Sequence, residues 1–217
     1  MSITRRGMAT AIFGLAVLFG SGSALAQDGA KTAATMDIKL KNGTVTIQLR
    51  PDLAPKHVER LKELAKEGAY DNVAFHRVID GFMAQTGDVQ YGKFRKTDEN
   101  GEPLDEDATA KQARDLKRAG TGSSKKADLP AEFTDKAKFE RGTVGMARAQ
   151  DPNSANSQFF IMFEPAPSLD GQYTIVGEVT EGMEHVDAIK RGEGPNGAVL
   201  GEPDVMLEVT VNEPKAS

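Results

Sequence analysis

Residues 73–88 read Val-Ala-Phe-His-Arg-Val-Ile-Asp-Gly-Phe-Met-Ala-Gln-Thr-Gly-Asp. They set one arginine, Arg77, among large apolar side chains and return through Asp80 and Gly81 to Phe82, Met83 and Gln85. A guanidinium carries only donors and keeps its proton, so beside Phe and Met it needs acceptors. Such a group could polarise something bound in an apolar pocket. The competing reading is an edge-strand arginine paired with a surface carboxylate, the ordinary state of a lone arginine. A second stretch bears on the choice. Met146, Ala147, Arg148 and Ala149, followed by the run Asn156, Ser157, Gln158, Phe159, Phe160 and Ile161, supply small, polar and aromatic groups to what could be one site. Taken alone, Phe160 reads as core and Gln158 as a solvated strand polar.

Composition narrows the chemistry. The 217 residues contain no cysteine, which excludes disulfides, thiolate nucleophiles, zinc–thiolate sites and a lipidated N-terminal cysteine. The three histidines, His57, His76 and His185, lie too far apart for metal-ligand spacing. A formal charge of −5 argues against electrostatic capture of nucleic acid. Residues 1–26 have the plan of a secretory signal: Arg5 and Arg6, an apolar run from Ala11 to Phe19, and Ala24-Leu25-Ala26 as a cleavage site. The apolar run is too short to span a membrane stably. Thr4-Arg5-Arg6-Gly7-Met8 also has a twin-arginine character, but paired basic residues are ordinary in general secretion signals, which is the expected route. Cleavage near Ala26 takes the charge to −7, because only Arg5 and Arg6 are charged in that segment. The mature chain is expected to be periplasmic or secreted, without stable membrane insertion.

The elements that position these residues follow from periodicity. After a linker at 27–35, Met36, Ile38 and Leu40, then Val45, Ile47 and Leu49, alternate with polar residues around Lys41-Asn42-Gly43, the pattern of a β-hairpin. Ala54-Pro55 opens a helix whose apolar face is Val58, Leu61, Leu64 and Ala65, and Gly68 stops it. Residues 73–79 read as one strand. Residues 91–118 form a charged insertion: between 92 and 118, seven basic and seven acidic residues leave little to join a core. Asp105 could cap a short helix there through Lys117, supported by pairs such as Asp107 with Lys111. Residues 120–124, Gly-Thr-Gly-Ser-Ser, read as a flexible loop; no Gly-Lys-Ser/Thr follows, so it is not a phosphate loop. Strands are expected at 142–147, 157–163 and 174–179, a second helix at 181–190 on Met183, Val186 and Ile189, and a last strand with Val205, Leu207, Val209 and Val211 on one face. Residues 213–217 are a tail. About eight strands and two helices suggest a barrel, which disposes of exposed edges.

Five blocks, in order, resemble a cyclophilin: Phe75-His76-Arg77-Val78-Ile79 continuing through Phe82-Met83, Gln85 and Gly87-Asp88; Gly142, Val144 and Met146-Ala147; Asn156 to Ile161; and Leu169-Asp170-Gly171. The resemblance spans nearly the whole mature chain, 36–212. It implies a mostly-β fold, a closed eight-stranded antiparallel barrel capped by two α-helices, and peptidyl-prolyl cis–trans isomerase activity without cofactor or metal. By position it makes Arg77 the catalytic arginine. Phe82, Met83, Phe160 and Leu169 would line the proline pocket, and Gln85 and Gln158 would hydrogen-bond the substrate backbone. Ala147 and Ala149 would flank the peptide, with Gly120 in the loop beside the site. Three positions depart from the commonest pattern. Arg148 stands where asparagine is usual, Tyr173 replaces a histidine at the rim, and Ser168 falls where many members carry tryptophan, which counts against tight cyclosporin binding. The implied partners are proline-containing polypeptides met by a monomer, with no nucleic acid. A cyclophilin-fold chaperone that holds proline segments with little turnover is the alternative. A lipocalin-like barrel is a more distant one, and the Arg77–Phe160 constellation argues against it.

Overall fold

The alternating residues of the expected hairpin form β1 (Thr35–Leu40) and β2 (Gly43–Leu49), paired antiparallel from Thr35 with Gln48 to Leu40 with Gly43. A computed structural model describes residues 33–214 of the chain. The signal segment, most of the linker and residues 215–217 of the tail lie outside the described residues. Met36, Ile38, Val45, Ile47 and Leu49 are buried, as period-2 alternation against a core requires. The remaining strands are β3 (Val73–Ala74), β4 (Arg77–Ile79), β5 (Met83–Thr86), β6 (Thr143–Met146), β7 (Phe159–Met162), β8 (Ile175–Glu181), β9 (Val205–Met206) and β10 (Glu208–Asn212). Eight of them form one antiparallel sheet in the order β10-β1-β2-β8-β6-β7-β5-β4, and β3 pairs with β9 separately.

The sheet curls but does not close on itself, which corrects the expected closed barrel. Its edge strands β4 and β10 are not paired with each other. The gap is spanned by the short β3–β9 ladder, whose strands run directly into β4 and β10. The curl has a local cause: β8 carries register shifts opposite both neighbours, at Thr46/Ile47 of β2 and Val144/Gly145 of β6. An extra residue in one strand bends it and raises its twist. Residues 73–79 are therefore two strands, not one, because the chain leaves one ladder for the other at Phe75-His76. A similar change of partner separates β9 from β10. It shifts the expected alternation, so Met206 and Val209 are buried while Leu207 is 39% exposed.

Three α-helices are described: α1 (Pro55–Lys66), α2 (Glu106–Leu116) and α3 (Met183–Asp187). Helix α1 places Val58, Leu61, Leu64 and Ala65 in the core, which it shares with Val186 of α3 and Phe159 and Ile161 of β7. Helix α2 is the third helix, inside the charged insertion, and buries none of its residues. Asp105 caps it by accepting from the Ala108 N–H at 2.7 Å, as expected, but Lys111 pairs with Asp115 rather than Asp107. No described helix is long and apolar enough to cross a membrane.

One polar pair, a buried histidine with a half-buried glutamate, joins α1 to the chain entering β6. His57 Nδ1 lies 2.6 Å from Glu132, which also accepts the backbone N–H groups of Lys56 and His57. Burial holds the His57 pKa below its ordinary 6.5, outweighing the opposing pull of Glu132. The imidazole is thus neutral in the fold and donates to the carboxylate. Above the ordinary value the residue is neutral folded or unfolded; as pH falls below it the unfolded chain binds the proton first. The stability is complete above about 6.5 and drains away towards the lower folded pKa, at about 1.4 kcal/mol for each tenfold difference in proton affinity. The melting temperature should therefore fall between about pH 7 and 5, and His57→Gln should flatten part of that slope. His76, whose ring nitrogens are buried, has the same sign and keeps the rest.

Candidate active site

The outer face of the curled sheet, not its interior, carries the site. Strand β7 alternates Phe159 and Ile161 into the main core with Phe160 and Met162 outward into a second apolar cluster. A strand that is apolar on both faces is covered on both. Across the strands, Arg77 of β4 is in register with Gln85 of β5, Gln85 with Phe160 of β7, and Phe160 with Gly145 of β6. Four residues that are remote in sequence thus form one row on the outer face. Gly145 is required by packing: a Cβ there would come within 2.6 Å of both the Phe139 and Phe160 rings.

At one end of this row lies a cavity of about 180 Å³ lined by Arg77, Phe82, Met83, Gln85, Ala147, Arg148, Phe160, Leu169 and Tyr173. Every residue expected at the proline pocket is here. The floor is Phe160, stacked on Phe139 at 5.7 Å and meeting Tyr173 edge-on at 5.9 Å. Sharing Gln85, Ala147 and Arg148, a second hollow of about 360 Å³ continues along Gly120 to Ser123, Ala149, Asn156 and Gln158. The two together make a groove along which an extended chain can lie.

Arg77 is half-buried and has no carboxylate partner among the described residues. Its Nε donates to the Asn196 carbonyl at 2.9 Å and its Nη1 to Gln85 Oε1 at 3.2 Å, with Met83 Sδ at 3.9 Å. Burial lowers its pKa, but a guanidinium does not lose its proton on that account. Asn196 was not foreseen from sequence. It sits in the left-handed region at φ 55, between Pro195 and Gly197, a conformation that asparagine tolerates better than most residues. That turn belongs to a loop which covers the β4 edge through Gly192 N–H to Val78 O and Val199 N–H to His76 O.

The two glutamines behave differently. Gln85 Nε2 donates to Gln158 Oε1 at 2.9 Å, which leaves one of its amide protons over. Gln158 Nε2 donates to the carbonyls of Gly120 at 3.1 Å and Gly122 at 2.8 Å, so both of its protons serve the protein. The 120–124 loop is accordingly tied down, which corrects the expectation that it is flexible. Ala149 also lies in the groove, with its N–H donated to Ser154 Oγ at 2.9 Å. Arg148 lies over the Tyr173 ring at 4.6 Å and donates to the Gln172, Ala149 and Gln150 carbonyls. The two departures at the rim therefore act as a pair. His76, beside Arg77 in sequence, has both ring nitrogens buried without a hydrogen-bond partner among the described residues, and burial lowers its pKa, so it adds no second charge next to the guanidinium.

The arrangement offers a fixed cation at the mouth of an apolar pocket and a donor amide along the adjoining groove. Residues 35–211 match the family model described as cyclophilin type peptidyl-prolyl cis-trans isomerase/CLD. A Brucella suis protein named probable peptidyl-prolyl cis-trans isomerase is 51% identical over 212 residues, 97% of each chain. An Arabidopsis thaliana protein named peptidyl-prolyl cis-trans isomerase CYP23 is 32% identical over 88% of this chain and 74% of its own. In fold, the chain is similar to a Cryptosporidium parvum cyclophilin solved in the presence of the dipeptide Ala-Pro. That match has a TM-score of 0.63 and 22% identity, covering 82% of this chain and 99% of that one.

Proposed function

Because the chain belongs to the cyclophilin-type peptidyl-prolyl cis–trans isomerase family, we propose that it accelerates rotation about Xaa–Pro bonds in exported proteins, with Arg77 as the group that favours the twisted amide. The observation that carries this reading is the guanidinium itself, anchored at Nε and Nη1 and lacking a carboxylate partner among the described residues, at the mouth of a cavity of about 180 Å³. That volume is below the roughly 300–1,000 Å³ of pockets for whole small molecules and suits a single ring.

The chemistry needs little else. An Xaa–Pro bond resists rotation with a barrier of about 18–20 kcal/mol because of its partial double-bond character. When the amide twists, resonance is lost and the proline nitrogen becomes pyramidal, with a lone pair that can accept a hydrogen bond. Arg77 Nη2 makes no hydrogen bond within the protein among the described residues, so it is free to supply one. Neither planar isomer has that lone pair, so the interaction is worth more at the transition state than in either ground state. Phe82, Met83, Phe160 and Leu169 hold the pyrrolidine ring while the preceding carbonyl turns, and the spare Gln85 proton meets the peptide backbone. No bond is made or broken, so no nucleophile is called for.

The exported setting rests on Arg5-Arg6, the apolar run and Ala24-Leu25-Ala26. One experiment covers both parts. Expressed with its own N-terminus, the chain recovered outside the cytoplasm should begin near Gln27 and should speed cis–trans exchange of an Ala-Pro peptide followed by exchange NMR. Retention of the full N-terminus in the cytoplasm would refute export. Exchange no faster than that of the free peptide would refute catalysis.

A further inference from the structure

The mechanism above makes no use of Asp88, yet Asp88 is fully buried and no cation pairs with it among the described residues. Its carboxylate is occupied by four backbone donors. Oδ1 accepts from the N–H groups of Gln90 at 3.1 Å and Tyr91 at 2.9 Å, while Oδ2 accepts from those of Gly120 at 2.7 Å and Gly122 at 2.9 Å. The first pair is where the charged insertion leaves the curled sheet, and the second is where it returns. Arg118 closes the same base by lying over the Tyr91 ring at 3.9 Å. The close approach depends on glycine. A Cβ at 122 would lie 2.5 Å from Asp88 Oδ1, and Gly120 has φ 96 with His76 against it.

From this clamp a continuous chain of hydrogen bonds runs to the guanidinium. The carbonyls of Gly120 and Gly122 receive both Gln158 amide protons, Gln158 Oε1 receives Gln85 Nε2, and Gln85 Oε1 receives Arg77 Nη1. Each link fixes the orientation of the next amide, because reversing any one of them would set like groups against each other. We infer that Asp88 is a positioning residue for the isomerase reaction: it holds the 120–122 loop so that Gln158 and Gln85 aim Arg77 at the twisted amide, and through it the insertion is coupled to the site. The inference rests on the isomerase reading of the groove. A misplaced reacting group costs up to about 100-fold in rate, whereas the apolar pocket that binds the ring is untouched.

The test compares wild type, Asp88→Asn, Gln158→Ala and the double variant. Asparagine turns an N–H pair towards donors and so opens half the clamp. Asp88→Asn should lower turnover on an Ala-Pro peptide by about 10- to 100-fold, with the peptide dissociation constant changed less than about 2-fold. It should also shift the Arg77 Nε–H and Gln85 side-chain NMR signals, and in the Gln158→Ala background it should add less than about 2-fold. Full multiplication of the two losses, or an unmoved Arg77 signal, would overturn the proposal. Should Asp88→Asn not fold, Gln158→Ala must by itself reproduce the loss and the displaced signal. In the wild type, the Gly120 and Gly122 amides must then exchange as slowly as those of β5 and β7. Rapid exchange there overturns it as well. If the wild type fails to catalyse exchange, the isomerase reading falls, and the Arg77 signal still decides whether Asp88 sets its orientation.

Discussion

Arg77→Ala is expected to lower kcat/KM for Xaa–Pro exchange by about 10²–10³, the loss that follows removal of one preorganised donor from a reaction centre. The fold should survive. Arg77 is half-buried, and its bonds within the protein run to one carbonyl, one amide oxygen and a thioether, so no buried charge is orphaned by its removal. Peptide affinity should change by no more than a few-fold, because ring contact comes from Phe82, Met83, Phe160 and Leu169. The loss should therefore fall on turnover. Arg77→Lys should not rescue it: an ammonium is a point charge without the planar fork, and cannot hold Asn196 O and Gln85 Oε1 while offering a third donor. Exchange NMR gives the rate and peptide titration the affinity. A variant whose turnover stays within about 3-fold of wild type would refute the role assigned to Arg77.

How far that role could be read beforehand differs from residue to residue. Arg77, Phe82, Met83, Gln85, Phe160, Leu169 and Tyr173 were expected together through the cyclophilin resemblance, and in the structure they line one cavity. What could not be read is why they meet. The row from Arg77 through Gln85 and Phe160 to Gly145 depends on strand register, and register is a property of pairing between segments separated by up to some eighty residues. Asn196 escaped for a related reason: it acts through a backbone carbonyl, which no side-chain pattern announces, 119 positions from Arg77. Asp88 belongs to one of the cyclophilin-like blocks but received no role, because nothing local shows that four N–H groups from two segments converge on it.

The same limit explains the errors in the fold. Alternation located β1, β2 and α1 well, since their faces are set by local period. It failed at Phe75-His76 and at Leu207, where the chain changes partner in order to bridge the open seam of the sheet. Closure is a matter of which edges meet, and the β3–β9 ladder that spans the gap has only two residues on each side. Segments of that length carry no period.

Phe160→Ala is expected to fail in the opposite way to Arg77→Ala, through stability and binding before turnover. The ring is 5% exposed, stacks on Phe139, meets Tyr173 edge-on and fills the space that Gly145 leaves open. Truncation leaves a cavity between β6 and β7 that neither glycine nor strand backbone can collapse into, at a cost of about 3–5 kcal/mol. It also removes the floor of the proline pocket, so peptide affinity should fall by at least about 10-fold, equivalent to about 1.4 kcal/mol. Phe160→Leu separates the two effects. It refills much of the volume, which should recover most of the stability, but it cannot restore the aromatic pairs, each worth about 0.5–1.5 kcal/mol, or the flat floor. Denaturant unfolding and peptide titration on the three proteins decide the matter. If Phe160→Leu binds as tightly as wild type, the ring is a core residue only, and the proline pocket does not depend on it. If Phe160→Ala unfolds with the wild type, the second apolar cluster does not support the sheet as its packing requires. The expected result, a stability gap that leucine closes and a binding gap that it does not, would show one residue serving both faces of the argument: the outward half of an apolar strand, buried by the site it builds.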